Sequence, residues 1–257
     1  RIFFEDIVKK EHWFFAEHIP KCSIETVLSD TEASHAVRTR RLRIDDPLII
    51  FDGKGLSAAA RIIEISQRPL RVRLHIGERD WSPKKTPSVH LVSALPKGDR
   101  QNTMIDMATQ LGVDVLTPLV CERSVSVARK GNRERWDRIV IEACKQSHRS
   151  WLPTLAEESS LETFISGIDE DAMVFVGDSD GDTLGSFSSM SLKELEKVYL
   201  VIGPEGGFTL FEHQLQKRAG FKMLSVGDGI LRTEAAAVSL VASIMGLVRP
   251  SSVMRDD

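Results

Sequence analysis

Between Val198 and Gly246 the chain twice repeats one arrangement: an apolar run, a glycine-rich turn and the start of a helix. The first turn, Gly203-Pro204-Glu205-Gly206-Gly207, follows the run Val198 to Ile202. The second, Gly227-Asp228-Gly229, follows Met223 to Val226 and leads through Ile230, Leu231, Arg232, Thr233 and Glu234 into the last helix. Glycine takes φ > 0 without strain and lets a ligand approach the bare main chain. One such turn reads most simply as a turn. Two of one type, each carrying charge in an apolar setting, bring a ligand site level with that plain reading. Neither contains the G-x-x-x-x-G-K-[ST] phosphate pattern or a complete G-x-G-x-x-G opening a helix, so a triphosphate or dinucleotide site is not indicated.

The elements that must hold these turns alternate between strand and helix. Thr209 and Glu212 have capping-box spacing, after which Leu210, Leu215 and Ala219 can face a core and Gly220 occupies the C′ position. Upstream, Ser88 to Leu95 reads as a strand. Asp99 then caps a helix in which Met104, Ala108 and Leu111 share a face, and Gly112 ends it. Val113 to Val120 is a further strand. Arg133 to Gln146 is a helix with Trp136, Ile139, Val140 and Ala143 at core spacing, and Met173 to Val176 is another strand. Such alternation implies an α/β domain whose mainly parallel sheet is covered on both faces. Ligand sites of these sheets lie outside the carboxyl ends of the strands, where both glycine turns fall.

The N-terminal part reads as β-rich. Leu70, Val72, Leu74 and Ile76 alternate with Arg71, Arg73 and His75, the period of a strand with one buried face. Leu48 to Phe51 and Ala58 to Ile65 form a hairpin across Gly53 and Gly55. A short helix from Thr31 to Leu42 holds His35, Arg38, Arg40, Arg41 and Arg43 at or near its end, a cluster that suits either phosphates or plain solvation. The proline-bearing stretch 79–87 separates a domain over 1–80 from one over 88–257.

The chain has 257 residues and a net charge of −3, unevenly spread. Residues 1–87 hold 16 Lys and Arg against 13 acids, whereas Ala156 to Gly185 hold nine acids and no basic residue. A polyanion bound at the N-terminal end is the partner this favours. Cys22, Cys121 and Cys144 lack C-x-x-C spacing and read as reduced, half-buried thiols of a cytoplasmic protein; the histidines show no paired ligand spacing, so no metal is assigned. The longest nearly uncharged run, Ala235 to Val248, is too short to cross a bilayer, and no membrane association is expected. No signal peptide is visible, although the chain starts at Arg1 and a preceding segment stays open.

The segments LVIGPEGGF (Leu200 to Phe208) and VGDGILRTEAAA (Val226 to Ala237) resemble the two cofactor-loop motifs of bacterial 16S rRNA uridine-N3 methyltransferases. These belong to the SPOUT, or α/β-knot, methyltransferases. LPKGDR with LGVDVLTPLVCERS (Leu95 to Ser124), EACKQSHR (Glu142 to Arg149) and HAVRTRRLR with LIIFDGKG (His35 to Gly55) match in the same order. Met107 and Gln110 depart from the Lys and Glu usual in the family's helix, and Thr39-Arg40 replace its Val-Leu.

The resemblance implies a PUA-like, RNA-binding β-barrel followed by a SPOUT domain with a C-terminal deep trefoil knot. It also implies a homodimer, with S-adenosyl-L-methionine as cofactor and 16S rRNA of the small ribosomal subunit as partner. It assigns cofactor binding to Leu95, to Ile202 through Gly207 and to Val226 and Gly227. Ile230 through Thr233, with Ala235 and Ala236, complete that set. RNA contacts fall to His35, Arg38, Arg40, Arg41 and Arg123, of the first-domain set only Arg41 falling on the family's usual arginine, and to Gln146 and Arg149, which could instead cap their helix. Methylating a uracil N3 requires loss of the imide proton. Arg232 suits stabilisation of the resulting anion, since a fixed guanidinium is a preorganised charge. Glu234 suits proton acceptance, orientation of Arg232, or service to the helix dipole alone.

Overall fold

The computed structural model describes residues 12–21, 24–126, 128, 131–169, 172–187 and 192–248. Its contacts divide it into two units, Arg1–Lys84 with Cys144–Leu152, and Lys85–Ala143 with Pro153–Asp257. The stretch Cys144–Leu152 therefore leaves the expected 88–257 domain for the first unit. The physical reason is local: Gly55 N donates to Ser150 O at 3.0 Å and Leu152 N to Gly53 O at 3.0 Å, tying this segment to a hairpin turn.

In the first unit come β1 (Trp13–Phe15), β2 (Glu25–Val27), α1 (Asp30–Ser34), β3 (Pro47–Phe51), β4 (Leu56–Gln67) and β5 (Leu70–Trp81). They form a five-stranded sheet in the order β1-β3-β4-β5-β2. Only the β1–β3 pair is parallel. The alternation read in β5 is real, with Val72, Leu74 and Ile76 buried against Phe14, Leu48, Ile50 and Ile62. Asp52 shapes the β3–β4 turn by accepting from Lys54 N at 2.7 Å and Leu56 N at 3.1 Å.

Ser29 caps α1 by accepting from Glu32 N. The expected straight helix to Leu42 ends sooner: α1 passes into one π-helical turn, His35–Thr39, and Arg40 N reaches back to His35 O at 2.9 Å. Arg41 then takes φ 58°, which frees Leu42 to turn into the core. Arg38 within that turn, and Arg40, Arg41 and Arg43 beyond it, are all exposed.

The second unit holds β6 (Ser88–Ser93), α2 (Arg100–Leu111), β7 (Val115–Val120), α3 (Asn132–Ser147, whose end joins the first unit), β8 (Thr154–Leu155), β9 (Ser159–Ser160), α4 (Leu161–Ser166), β10 (Met173–Thr183), β11 (Lys197–Ile202), α5 (Leu210–Arg218), β12 (Lys222–Ser225) and α6 (Thr233–Val248). Every ladder is parallel, in the order β12-β10-β11-β6-β7-β8 with β9 on β7. Val89, Leu91, Phe175, Val198 and Leu200 are fully buried, as a sheet covered on both faces demands. Helix α6 packs against α2 and against β6, β10 and β11.

Three helix readings need correction. Asp99 precedes α2 but gives it no side-chain cap; its carboxylate takes Asn102 Nδ2 at 3.0 Å and Arg135 at 2.8 Å instead. The buried face of α2 is Met104, Ile105, Ala108 and Thr109, with Leu111 exposed. In α5 the capping box forms, yet Leu210 is 82% exposed and Ala219 is exposed too, while Glu212 and Gln216 are buried. Glu212 is drawn inward because Oε2 accepts from Thr209 N at 2.7 Å and Oε1 from Glu122 N at 3.0 Å.

Cys121 and Cys144 are buried rather than half-buried, and Cys22 lies outside the described residues. Burial, then the neighbouring Glu212 carboxylate, pushes the Cys121 thiol up to about 12; burial pushes Cys144 up to about 11. Among the described residues no helix is long and apolar enough to cross a membrane.

Candidate functional site

Three adjacent strands, β11, β10 and β12, deliver residues to one cleft of about 300 Å³. Strand β10 supplies Gly177, Asp178 and Ser179; the other two supply the glycine turns that follow them. That volume is at the lower end for sites that enclose a small organic molecule.

The turn after β11 is packed from within. A Cβ on Gly203 would lie 2.8 Å from the Phe208 ring, and one on Gly206 would lie 3.3 Å from Arg123 Cβ. Gly207 has φ +69° and donates to Pro204 O at 2.8 Å, closing the turn. Arg123, in the turn beyond β7, donates to Gly206 O at 2.9 Å and to Phe208 O at 3.4 Å. It is thus a brace of the first glycine turn.

The turn after β12 is open. Nothing lies within 4 Å of where a Cβ would stand on Gly227 or Gly229, and neither has a positive φ. Ser225 Oγ donates to Gly227 O at 2.9 Å, and beyond it Ile230 is 95% exposed. Arg232, exposed, sits just before α6, where its carbonyl accepts from Ala236 N at 2.8 Å. Thr233, buried, donates from Oγ1 to Gly203 O at 3.4 Å and so joins the two turns.

A second tie runs through Arg100, the first residue of α2. Its guanidinium lies 3.2 Å from Glu205 Oε1 and 3.5 Å from Glu234 Oε2, so one cation holds a carboxylate from each turn region. The Glu234 side chain is 16% exposed, and its Oε2, buried, makes no hydrogen bond beyond that ion pair. Arg100 is absent from the residues the sequence singles out, although the hexapeptide LPKGDR ends on it. Ion pairs over this separation leave no local signal.

The structure gathers Ile202, Gly203, Pro204, Glu205 and Gly207 at the cleft, with Val226, Gly227, Ile230, Leu231, Thr233 and Ala236. Gly206, Arg232 and Ala235 adjoin it without lining it. Leu95 is not brought there: 5% exposed, it lines a separate small cavity with Leu91, Met104 and Ile105. Asp178, Ser179, His213 and Ser225 also line the cleft, beyond what the sequence motifs indicate. The strand expected from the sequence, Met173 to Val176, ends two residues before Asp178, and that closeness to a strand end is the signal that could have found it.

The residues expected to meet RNA fall in several places. Arg38, Arg40 and Arg41 share the exposed end of the first unit's helix, Gln146 and Arg149 lie in the returning segment, and Arg123 belongs to the second unit. His35 does not join the arginines. Lys145 Nζ donates to its Nδ1 at 2.9 Å and to Glu32 Oε1 at 3.0 Å, and the ring meets Phe14 edge-on at 5.8 Å. A lysine ammonium donates, so Nδ1 accepts and is engaged within the unit rather than turned to a phosphate.

Glycine turns on neighbouring parallel strands, with an arginine just before the following helix, give the second unit a ligand cleft of the kind open α/β sheets carry outside their strand ends. Residues 83–245 match the RNA methyltransferase domain family, and residues 28–74 match the RNA methyltransferase PUA domain. The chain belongs to the ribosomal RNA small subunit methyltransferase E family. It is 31% identical to that enzyme of Synechocystis over 89% of this chain and 76% of the relative. With its namesake in Aquifex aeolicus it shares 34% identity over 85% of this chain and 93% of the relative. The crystal structure of ribosomal RNA small subunit methyltransferase E from Neisseria gonorrhoeae bound to S-adenosyl methionine is 25% identical and superposes with a TM-score of 0.82, covering 93% of this chain and 98% of that one.

Proposed function

We propose that this protein methylates N3 of a uridine in 16S rRNA of the small ribosomal subunit, with S-adenosylmethionine as donor. The observation that carries the reading is the open second turn facing the braced first one across a single cleft, in a chain of this family. The residues present fit that cofactor. Bare backbone at Gly227 and Gly229 admits close approach, Asp178 offers a carboxylate to hydroxyl groups, and apolar Ile202, Leu224 and Leu240 suit a planar ring.

When bound, the cofactor supplies a methyl group on a sulfonium, poised for in-line transfer. The main chain of Gly203 to Gly207 and of Val226 to Leu231 holds and orients it, with Thr233 keeping the turns in register. Arg232, exposed at the mouth of α6, stabilises the uracil anion through its carbonyls as the imide proton leaves to solvent. Glu234, ion-paired with Arg100, acts as a positioning residue, because the pair fixes the first turn of α6, which Arg232 immediately precedes. The first unit, through Arg38, Arg40 and Arg41, gives the rRNA its electrostatic hold.

The deep trefoil knot, the cytoplasmic location and the homodimer belong to the same proposal. Leu210 and Phe211, 82% and 57% exposed, and Leu247 at 36% are apolar surface that a second copy would cover. Sedimentation at micromolar concentration showing a monomer would remove the dimer from it.

The deciding experiment pairs calorimetry with methyl transfer to small subunits that lack the modification, followed by mass spectrometry of the rRNA nucleosides. Binding of S-adenosylmethionine and appearance of 3-methyluridine is the expected result. No binding at millimolar cofactor would sink the enzyme reading, and a methyl group on another atom would sink the N3 assignment.

A further inference from the structure

In the first unit, β5 ends by carrying an indole into solvent. Trp81 pairs in register with Leu56 and is 59% exposed. An isolated exposed tryptophan would need no explanation. Here the ring has a built foundation. Trp151 meets Trp81 edge to face with centroids 5.6 Å apart and planes at 74°. Trp151 is itself fixed: Nε1 donates to Ser82 O at 2.7 Å, and its main chain forms an antiparallel bridge with Lys54. Gly55, at φ +101°, leaves the room this demands, because a Cβ there would fall 2.6 Å from the Trp151 ring.

Two lysines flank the pair. Lys84 Nζ stands 4.9 Å from the Trp151 ring centroid, and Lys54 is exposed on the adjoining turn. Asp52, the acid nearest in sequence to Lys54, turns its Oδ1 to the Lys54 and Leu56 amides rather than to either lysine side chain. Asp80 is exposed but is the strand neighbour of Trp81, and successive strand residues point to opposite faces. A rigid, exposed aromatic beside lysines is what single-stranded nucleic acid uses: the ring stacks a base while cations take the flanking phosphates. A protein partner fits less well, since lysine is depleted where interfaces bury their centre. Duplex RNA fits less well too, because its bases are already stacked.

We propose that Trp81, backed by Trp151, is a stacking platform for an unpaired RNA base, with Lys84 and Lys54 meeting the adjacent phosphates. It rests on the reading of RNA as substrate, and it lies on a different element from the arginines at Arg38 to Arg41. The platform anchors single-stranded rRNA at the first unit.

The test uses the full chain, a labelled single-stranded RNA of mixed sequence, the same strand carrying abasic positions, and a duplex. Trp81→Ala should weaken binding of the single strand about 10-fold, and Trp81→Phe should recover most of that. The abasic strand should bind wild type and Trp81→Ala alike, and Lys84→Ala should lower the salt slope by about one. Affinity for S-adenosylmethionine should not move in any variant. Equal single-strand affinity for wild type and Trp81→Ala would overturn the platform, as would a duplex that binds as tightly as the single strand. If Trp81→Ala melts early, Trp81→Phe and the abasic strand decide: a wild-type preference for bases over abasic sites supports stacking, and no preference refutes it. Failure of the methyltransferase reading would show separately, as wild type that binds no cofactor.

Discussion

The two glycine turns look alike in composition and are opposite in construction. In the turn after β11 each glycine has a reason inside the chain: the Phe208 ring at Gly203, the Arg123 side chain at Gly206, a positive φ at Gly207. In the turn after β12, Gly227 and Gly229 have neither a close neighbour nor a left-handed backbone. Folding alone thus explains the first set; the second set has no such reason inside the chain, which agrees with the close cofactor approach proposed above. The first turn is a wall and the second is a mouth, and Arg232 stands at the mouth.

The sharpest way to break that contrast is at Arg232. Arg232→Ala should lower turnover about 10³-fold, the scale for removing a preorganised charge from a developing anion, while changing cofactor affinity far less. Single-turnover methylation alongside calorimetry separates the two, and equal losses in both would make Arg232 a binding residue only.

Next in size is the wall. Gly203→Ala forces a Cβ to 2.8 Å from the Phe208 ring and should destabilise the second unit by about 1–3 kcal/mol, visible as an earlier melt with or without cofactor. Gly227→Val should do the reverse. Its melting temperature should hold, and its affinity for S-adenosylmethionine should fall about 10-fold, roughly 1.4 kcal/mol. If Gly227→Val lowers stability as much as Gly203→Ala, the mouth is a second wall and the contrast fails.

How much of this is legible depends on how far apart in sequence the causes lie. The capping box of α5 is readable because Thr209 and Glu212 are three residues apart and the hydrogen bonds are local. The buried face of the same helix is not, because Glu212 also serves Glu122, 90 residues away. His35 reads as one of a basic cluster, yet Lys145, 110 residues on, donates to it. Arg100 is silent in the sequence for the same reason: its carboxylate Glu205 is 105 residues distant. Strand and helix alternation survives in the sequence because burial on both faces imposes it residue by residue. Strand order has no such imprint, so the adjacency of β10, β11 and β12, which makes the cleft, had to come from the structure. Both glycine turns are visible as turns; which of them closes on itself is not.

A smaller effect tests the wall from its outer side. Arg123 touches the first turn twice through one nitrogen, donating to Gly206 O and Phe208 O, while its Cβ lies against the space Gly206 leaves. Its side chain is exposed, so each bond competes with water and the pair together should hold the turn by about 1 kcal/mol. Arg123→Ala should therefore weaken cofactor binding about 5-fold by letting Gly206 and Gly207 sample other conformations, with little change in global melting. Arg123→Lys, which keeps a donor but loses the planar fork, should recover part of that loss. Hydrogen exchange gives the discriminating readout: the Gly206 and Gly207 amides should exchange faster in Arg123→Ala, and those of Gly227 to Ile230 should not change. If instead the loop amides keep their rates and rRNA affinity falls with a shallower salt dependence, Arg123 serves the substrate as the family resemblance implies, and the wall stands on Phe208 and the Arg100 pair alone.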